Sequence, residues 1–189
     1  MKKFLAALGI LSGISLIAAD LMAANPATIL VRVTPVGTRD VTINSPADID
    51  FGSLGISSSA VASTGIDIEN SGNIAQSYRL NLDLAGGTGT AWTAGTAAGA
   101  DQFALYAMFN GATAPASASF DATGGVNGDH VLTSTRDSSA TVYAGAETGI
   151  NVSPVAAVDN RMLWLRLDTP TSSTSTNLEE QFNLVVTAF

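Results

Sequence analysis

The 189-residue chain contains no cysteine and a single histidine, His130. Without thiols there can be no disulfide framework, thiolate zinc site or cysteine nucleophile, and one imidazole cannot build a His-clustered metal centre. Charge is sparse, at 13% of residues, and one-sided: 8 basic residues stand against 16 acidic ones, a formal net charge of −8. Lys2 and Lys3 are the only lysines. A chain of this sign lacks the clustered cations that hold phosphate backbones or anionic headgroups, so neither nucleic acid nor an anionic membrane surface is an expected partner. Aromatic residues reach only 6%. That is thin for the aromatic girdles of a transmembrane barrel, and the apolar runs are shorter than its strands of about ten residues.

What is present begins with the N-terminus. Met1-Lys2-Lys3 is a positive start, Phe4 to Ile17 (FLAALGILSGISLI) is apolar apart from Gly and Ser, and small residues follow at Ala18, Ala19, Ala23 and Ala24. This is the layout of a secretory signal peptide, and the run is short for a transmembrane span, the alternative reading. No strict A-x-A triplet marks the cut; cleavage after Ala24 is preferred to cleavage after Ala19, giving a signal over residues 1–24 and one domain over 25–189. Removing residues 1–24 leaves six Arg against 15 acids, net −9. The expected location is the cell envelope, periplasm or cell surface, or the medium, with no stable membrane insertion after cleavage. About 165 residues can bury roughly 70% of their unfolded surface, so a core needs no cross-links.

Beyond residue 27 the dominant signal is alternation with period two, the mark of strands with one buried face. Thr28 to Val33 places Ile29, Val31 and Val33 on one side; Val41 and Ile43 form a second short strand ended by Asn44-Ser45-Pro46. Ile49 and Phe51 lead into Gly52. Strands are then predicted over Gly65 to Asn70, Ser77 to Leu84 and Gln102 to Asn110, the last with both faces at least partly covered, and after it a turn or loop from Asn110-Gly111. Shorter ones are expected at Val131 to Ser134, Thr141 to Tyr143 and Gly149 to Val152, and two strong ones at Met162 to Asp168 and Gln181 to Phe189. The polar loop Thr169 to Asn177 has nothing to bury, and a short helical turn is expected between Trp92 and Asp101. Eight to ten short strands, about the number an all-β sandwich requires, predict an Ig-like or jelly-roll-type β-sandwich in one domain without internal repeats.

Within Asp48 to Leu82, the step Asp50-Phe51-Gly52, the small polar run to Ser63 and the turn Ile68-Glu69-Asn70-Ser71-Gly72-Asn73 resemble the opening of secreted Ig-like domains of the ASH or Hydin type. The resemblance implies an Ig-like sandwich with a binding or structural role, and says little about which.

The residues offer little for chemistry. Asp121 to His130 (DATGGVNGDH) concentrates oxygen ligands and glycines, yet its spacing matches neither an EF-hand nor a tandem calcium repeat, and a plain acidic turn is the expected reading. His130 with Asp129 and Ser134 lies along one stretch of chain, which rarely assembles a triad, and Gly-x-Ser-x-Gly is absent. The acid pairs Glu179-Glu180 and Asp48-Asp50 read as solvated charge rather than a glycosidase pair. No catalytic, cofactor-binding or metal residue is therefore assigned, and no cofactor is expected. Trp92 and Trp164 are candidate partner contacts, as sugar platforms or protein contacts; Trp164 falls opposite Leu163, Leu165 and Leu167, with a covered ring the expected outcome. Ile29, Val31 and Val33 form a candidate donor strand that could complete a neighbour's sheet, the simpler alternative being pairing within its own sheet. The leading expectation is an exported, non-catalytic structural or adhesive protein, with a self-assembling surface subunit as one form of it, and the alternative is a secreted glycan- or peptide-binding module. Its partners are accordingly further copies of itself or a surface glycan or protein.

Overall fold

The computed structural model describes residues 30, 32–34, 36–84, 92–120, 132, 135–139, 141–145, 154–175 and 179–189. The chain divides into Met1–Pro35 and Val36–Phe189. In the first unit Leu30, Arg32, Val33 and Thr34 are exposed and outside any strand, so the strand expected over Thr28 to Val33 is not formed at those positions; Ile29 and Val31 lie outside the described residues.

The second unit is an all-β sandwich with nine strands among the described residues: β1 (Val41–Ser45), β2 (Ser59–Val61), β3 (Ile66–Asn70), β4 (Tyr78–Asp83), β5 (Thr93–Ala94), β6 (Gln102–Asn110), β7 (Arg136–Asp137), β8 (Asn160–Asp168) and β9 (Asn183–Ala188). One sheet runs β1-β3-β8-β6-β5, with β2 also on β8; the other runs β7-β4-β9. β2 and β3 pair with successive halves of β8, Ser59–Val61 against Asp168–Arg166 and Ile66–Glu69 against Leu163–Asn160, so they act as one strand interrupted over residues 62–65. Gly65 ends that interruption, where a Cβ would come within 2.8 Å of the Trp164 ring and 2.9 Å of Met162.

Alternation sorts the side chains into two apolar layers. Ile66, Ile68, Phe103, Leu105, Phe109, Leu163, Leu165 and Leu167 face Tyr78 and Leu80 of the opposite sheet in the main core. Tyr78 stacks on Phe109 at 5.8 Å between ring centroids. The other face of the large sheet is also covered: Ala104, Tyr106, Met108 and Trp164 form a second cluster with Phe120, beyond the 3₁₀ turn at Ser117–Ser119. Double coverage explains why β6 is buried at eight successive positions, Phe103 through Asn110.

A polar knot closes one end of the sandwich. The Asn70 side-chain amide, fully buried, donates to the carbonyls of Ile74, Val155 and Ala156 at 2.9–3.0 Å, and its oxygen accepts from Gly72 N–H at 3.0 Å. Gln76 exchanges backbone hydrogen bonds with Val155, and its side chain donates to the Asp40 carbonyl at 2.5 Å and accepts from Asp40 N–H at 3.1 Å. Three loops are thereby joined without a covalent link. Nearby, burial pushes the Tyr78 phenol up to about 12, so it stays neutral throughout the physiological range.

Several expectations are corrected. Thr141 to Tyr143 is a turn rather than a strand: Tyr143 has φ 57° and buries its side chain while its carbonyl accepts from Phe109 N–H at 2.8 Å. The helical turn expected between Trp92 and Asp101 is replaced by β5, which runs parallel to β6 with Thr93 opposite Gln102. The loop from Thr169 does bury residues, for Thr169 and Pro170 are both buried. Thr169 Oγ1 donates to the carbonyls of Gly55 and Ser58 and accepts from Ser58 N–H, pinning the loop to the segment before β2. The strand expected at Gly149 to Val152 falls outside the described residues, as does that at Val131 to Ser134 apart from the buried Leu132.

Two substitutions separate core packing from the polar knot. Leu105→Ala should lower the unfolding free energy by about 2–5 kcal/mol through cavity formation. Asn70→Ala should cost about 1–3 kcal/mol by stranding buried carbonyls. Both are measurable as shifts in the urea midpoint at unchanged slope.

Candidate interaction surface

An edge strand exposes a row of unpaired N–H and C=O groups, and proteins usually blunt it by shortness, charge, proline or a bulge. Among the described residues, three of the four strands that end the two sheet orders carry such a device, and the side strand β2 has only three residues. β5 has two residues; β7 has two, Arg136 and Asp137, both charged. β1 has five, but its register with β3 breaks between Ile43 and Ser45, and Pro46 follows. The fourth, β9, carries none. Its six residues, NLVVTA, pair without interruption to β4 from Asn183↔Asp83 to Ala188↔Tyr78, and contain neither a charge nor a proline. Among the described residues no strand pairs with its outer side.

The side chains point to the same flank. Tyr78 and Leu80 of β4 are fully buried, whereas the inward-facing Leu184 and Val186 of β9 pack on the core but remain half-buried. Ile43 on β1 stands opposite Ile68 in the ladder; Ile68 is wholly buried, yet Ile43 is 45% exposed. β1 and β9 touch, each ending its own sheet. Ile43 on β1 and Val185 on the outer face of β9 are exposed, and Leu184 and Val186 are half-buried, so apolar surface is left open on both strands. On that outer face Arg79 pairs with Asp137 and places its guanidinium 5.2 Å from the Phe189 ring centroid.

The residues singled out from sequence fall elsewhere. Trp164 is only 4% exposed; its ring packs in the second cluster and its Nε1–H donates to the Gly111 carbonyl at 2.9 Å. Trp92 is half-buried against the main core, with Nε1–H donating to Ser173 Oγ at 2.8 Å. The two indoles thus lie in different layers and do not form one platform. Val33 is 84% exposed. The candidate calcium turn Asp121 to His130, with Asp129, and also Ser134, lies outside the described residues. Asp50 accepts from Gly52 N–H in a local turn, and Glu179 and Glu180 accept from Gln181 and Ser175. Among the described residues no group of three or more acidic or imidazole side chains is placed to hold a metal ion, and no helix is long and apolar enough to cross a membrane. A cleft of about 240 Å³ lies beside Ser57, Ser58, Ser59, Ala98, Asp168, Thr169 and Thr171. Its Ser59 hydroxyl donates to Asp168, whose carboxylate is already paired with Arg166 at 2.8 Å. That carboxylate is engaged as a structural acceptor.

β9 was legible as a strand, but its status as an unblunted edge was not. Its lack of charge and proline is visible in sequence; that no strand among the described residues flanks it is a fact of sheet order.

The loop after β8 supplies a pH-dependent clamp. Asp101 accepts from Thr174 N–H at 2.6 Å and Thr174 O–H at 2.8 Å, and these bonds, the backbone one foremost, hold its carboxyl below the usual carboxylate range. A depressed folded value means that the clamp's contribution is complete above the unfolded value, about 3.9, and is lost as pH falls through the folded one. The hydrogen-exchange protection factor of the Thr174 amide should be constant from neutral pH down to about 4 and fall below it. Asp101→Asn should weaken that protection at neutral pH. Comparison of this chain with protein-family models, with curated proteins and with solved structures returns no match.

Proposed function

We propose that this protein is an exported, non-catalytic structural subunit of the cell envelope or extracellular matrix that acts by assembling with copies of itself. One observation carries the proposal: β9 offers an uncharged, unbulged six-residue edge beside half-exposed apolar side chains. A strand of this kind invites pairing with another chain, and in a monomer it is a hazard. Export is supported by the basic start, apolar run and small residues of the N-terminus. The one-sided acidic composition favours solubility during transit and disfavours anionic partners. The likeness of Asp48 to Leu82 to ASH- or Hydin-type Ig-like domains is compatible with such a role, which needs a scaffold and no reactive centre.

Negative-stain microscopy and light scattering of the chain purified after export test the reading. Fibres or ordered arrays, growing with concentration, are expected. A monodisperse monomer across the accessible concentration range, or turnover of a substrate by the purified chain, would overturn it.

A further inference from the structure

We propose that the outer edge of β9 accepts residues 28–33 (TILVRV) of a second copy as an added strand, so that growth is head-to-tail. The inference rests on the self-assembly reading above and names the two surfaces that meet.

The acceptor is defined by backbone and side chains together. β9 presents six residues of unpaired outer edge among the described residues, its inward-facing Leu184 and Val186 are only half-buried, and Ile43 on the adjoining β1 is exposed. An entering strand has to match that length, bring apolar side chains at every second position, and tolerate an acidic surface. Residues 28–33 are also six, and Ile29, Val31 and Val33 alternate with Thr28, Leu30 and Arg32. The segment 25–35 carries Arg32 and no acid, while Val36–Phe189 carries five Arg against fifteen acids. Added backbone bonds would supply affinity and the alternating pockets register, the usual division in strand addition.

The single chain leaves both surfaces unsatisfied. Leu30, Val33 and Val36 are 72%, 84% and 80% exposed, the highest values among the exposed large hydrophobic residues but for Val158. The backbone at the base of the segment is anchored: Thr38 N–H donates to Asn73 Oδ1 at 2.7 Å, and Thr38 O accepts from Asn73 N–H at 3.1 Å. A donor strand and an acceptor edge that differ, both carried on one chain, make a heterologous contact, and such contacts propagate into open filaments unless a rotation closes them into rings. Insertion of the segment beside its own β9 is the competing arrangement, and the test separates the two.

The natural absence of cysteine makes cross-linking clean. Arg32→Cys chains are mixed with chains carrying Asn183→Cys, Val185→Cys or Thr187→Cys, the outward positions of β9, and oxidised. In parallel, Val31→Asp/Val33→Asp chains are examined by microscopy, and a peptide of residues 27–36 is added to assembling wild-type chain. The expected results are a mixed covalent dimer at one of the three β9 positions, loss of fibres in the double-Asp variant with an unchanged thermal midpoint, and shortened fibres with the peptide. An intramolecular disulfide in a monomeric Arg32→Cys/Val185→Cys chain would overturn the inference in favour of self-insertion. Fibres persisting unaltered in the double-Asp variant would overturn it while leaving self-assembly standing. A wild-type chain that stays monomeric removes both.

Discussion

Seven consecutive residue pairs join β6 to β8, from Ala104↔Asp168 to Asn110↔Met162, and both faces of that ladder are covered. The rest of the sandwich is arranged around this pair. Its inner face supplies Leu105, Phe109, Leu163 and Leu165 to the main core, so the small sheet packs where Tyr78 and Leu80 can meet them. Its outer face has to be sealed, since Tyr106, Met108 and Trp164 would otherwise stand in water. The chain from Gly111 to Phe120 provides the seal: Gly111 O accepts from Trp164, while Ser117 O and Phe120 O accept from Arg166. The same guanidinium lies 3.9 Å from the Tyr106 ring centroid and pairs with Asp168, so one arginine joins sheet, seal and ion pair. A cation held over a ring while hydrogen-bonded at its edge is a use that suits arginine and not lysine.

Concentrating coverage on the central strands leaves the flank uncovered. The small sheet has three strands against six, and its end strand β9 meets β1 at the margin of the large one. Leu184 and Val186 are therefore inward in orientation but half-buried, and Ile43 is exposed opposite a fully buried Ile68. At the end of the molecule, the Asn70 and Gln76 amides bind loop carbonyls and so take the part that a disulfide plays in many small secreted domains. Among the described residues the loops are tied at one end and one edge strand is left open. The proposed assembly role would use this open edge.

Much of the architecture was legible because alternation is a local property. The strands at Ile66–Asn70, Tyr78–Asp83, Gln102–Asn110, Asn160–Asp168 and Asn183–Ala188 coincide with the apolar/polar period, and the double coverage of β6 followed from its lack of polar positions. The two-residue strands β5 and β7 and the three-residue β2 were not legible, because no period can be counted over so few residues. Thr141 to Tyr143 misled for a related reason: Tyr143 is buried as a strand residue would be, but reaches the core from a left-handed turn. Thr169 was read as solvent-facing because its hydroxyl is polar, and it is buried because three backbone groups satisfy that hydroxyl.

The sequence by itself determined that the chain is built of strands, which side of each long strand is oily, and that thiol and His-clustered chemistry are excluded, since all of these depend on residue identity and near-neighbour spacing. Tertiary structure alone decided which strand ends a sheet, and hence that, among the described residues, β9 and not β6 or β8 keeps an unpaired edge. Those pairings join residues distant along the chain, and a strand's own sequence is compatible with either a central or a marginal position. The buried place of Trp164 shows the same division: its phase was local, but the cover that makes it part of a core comes from a segment more than forty residues away.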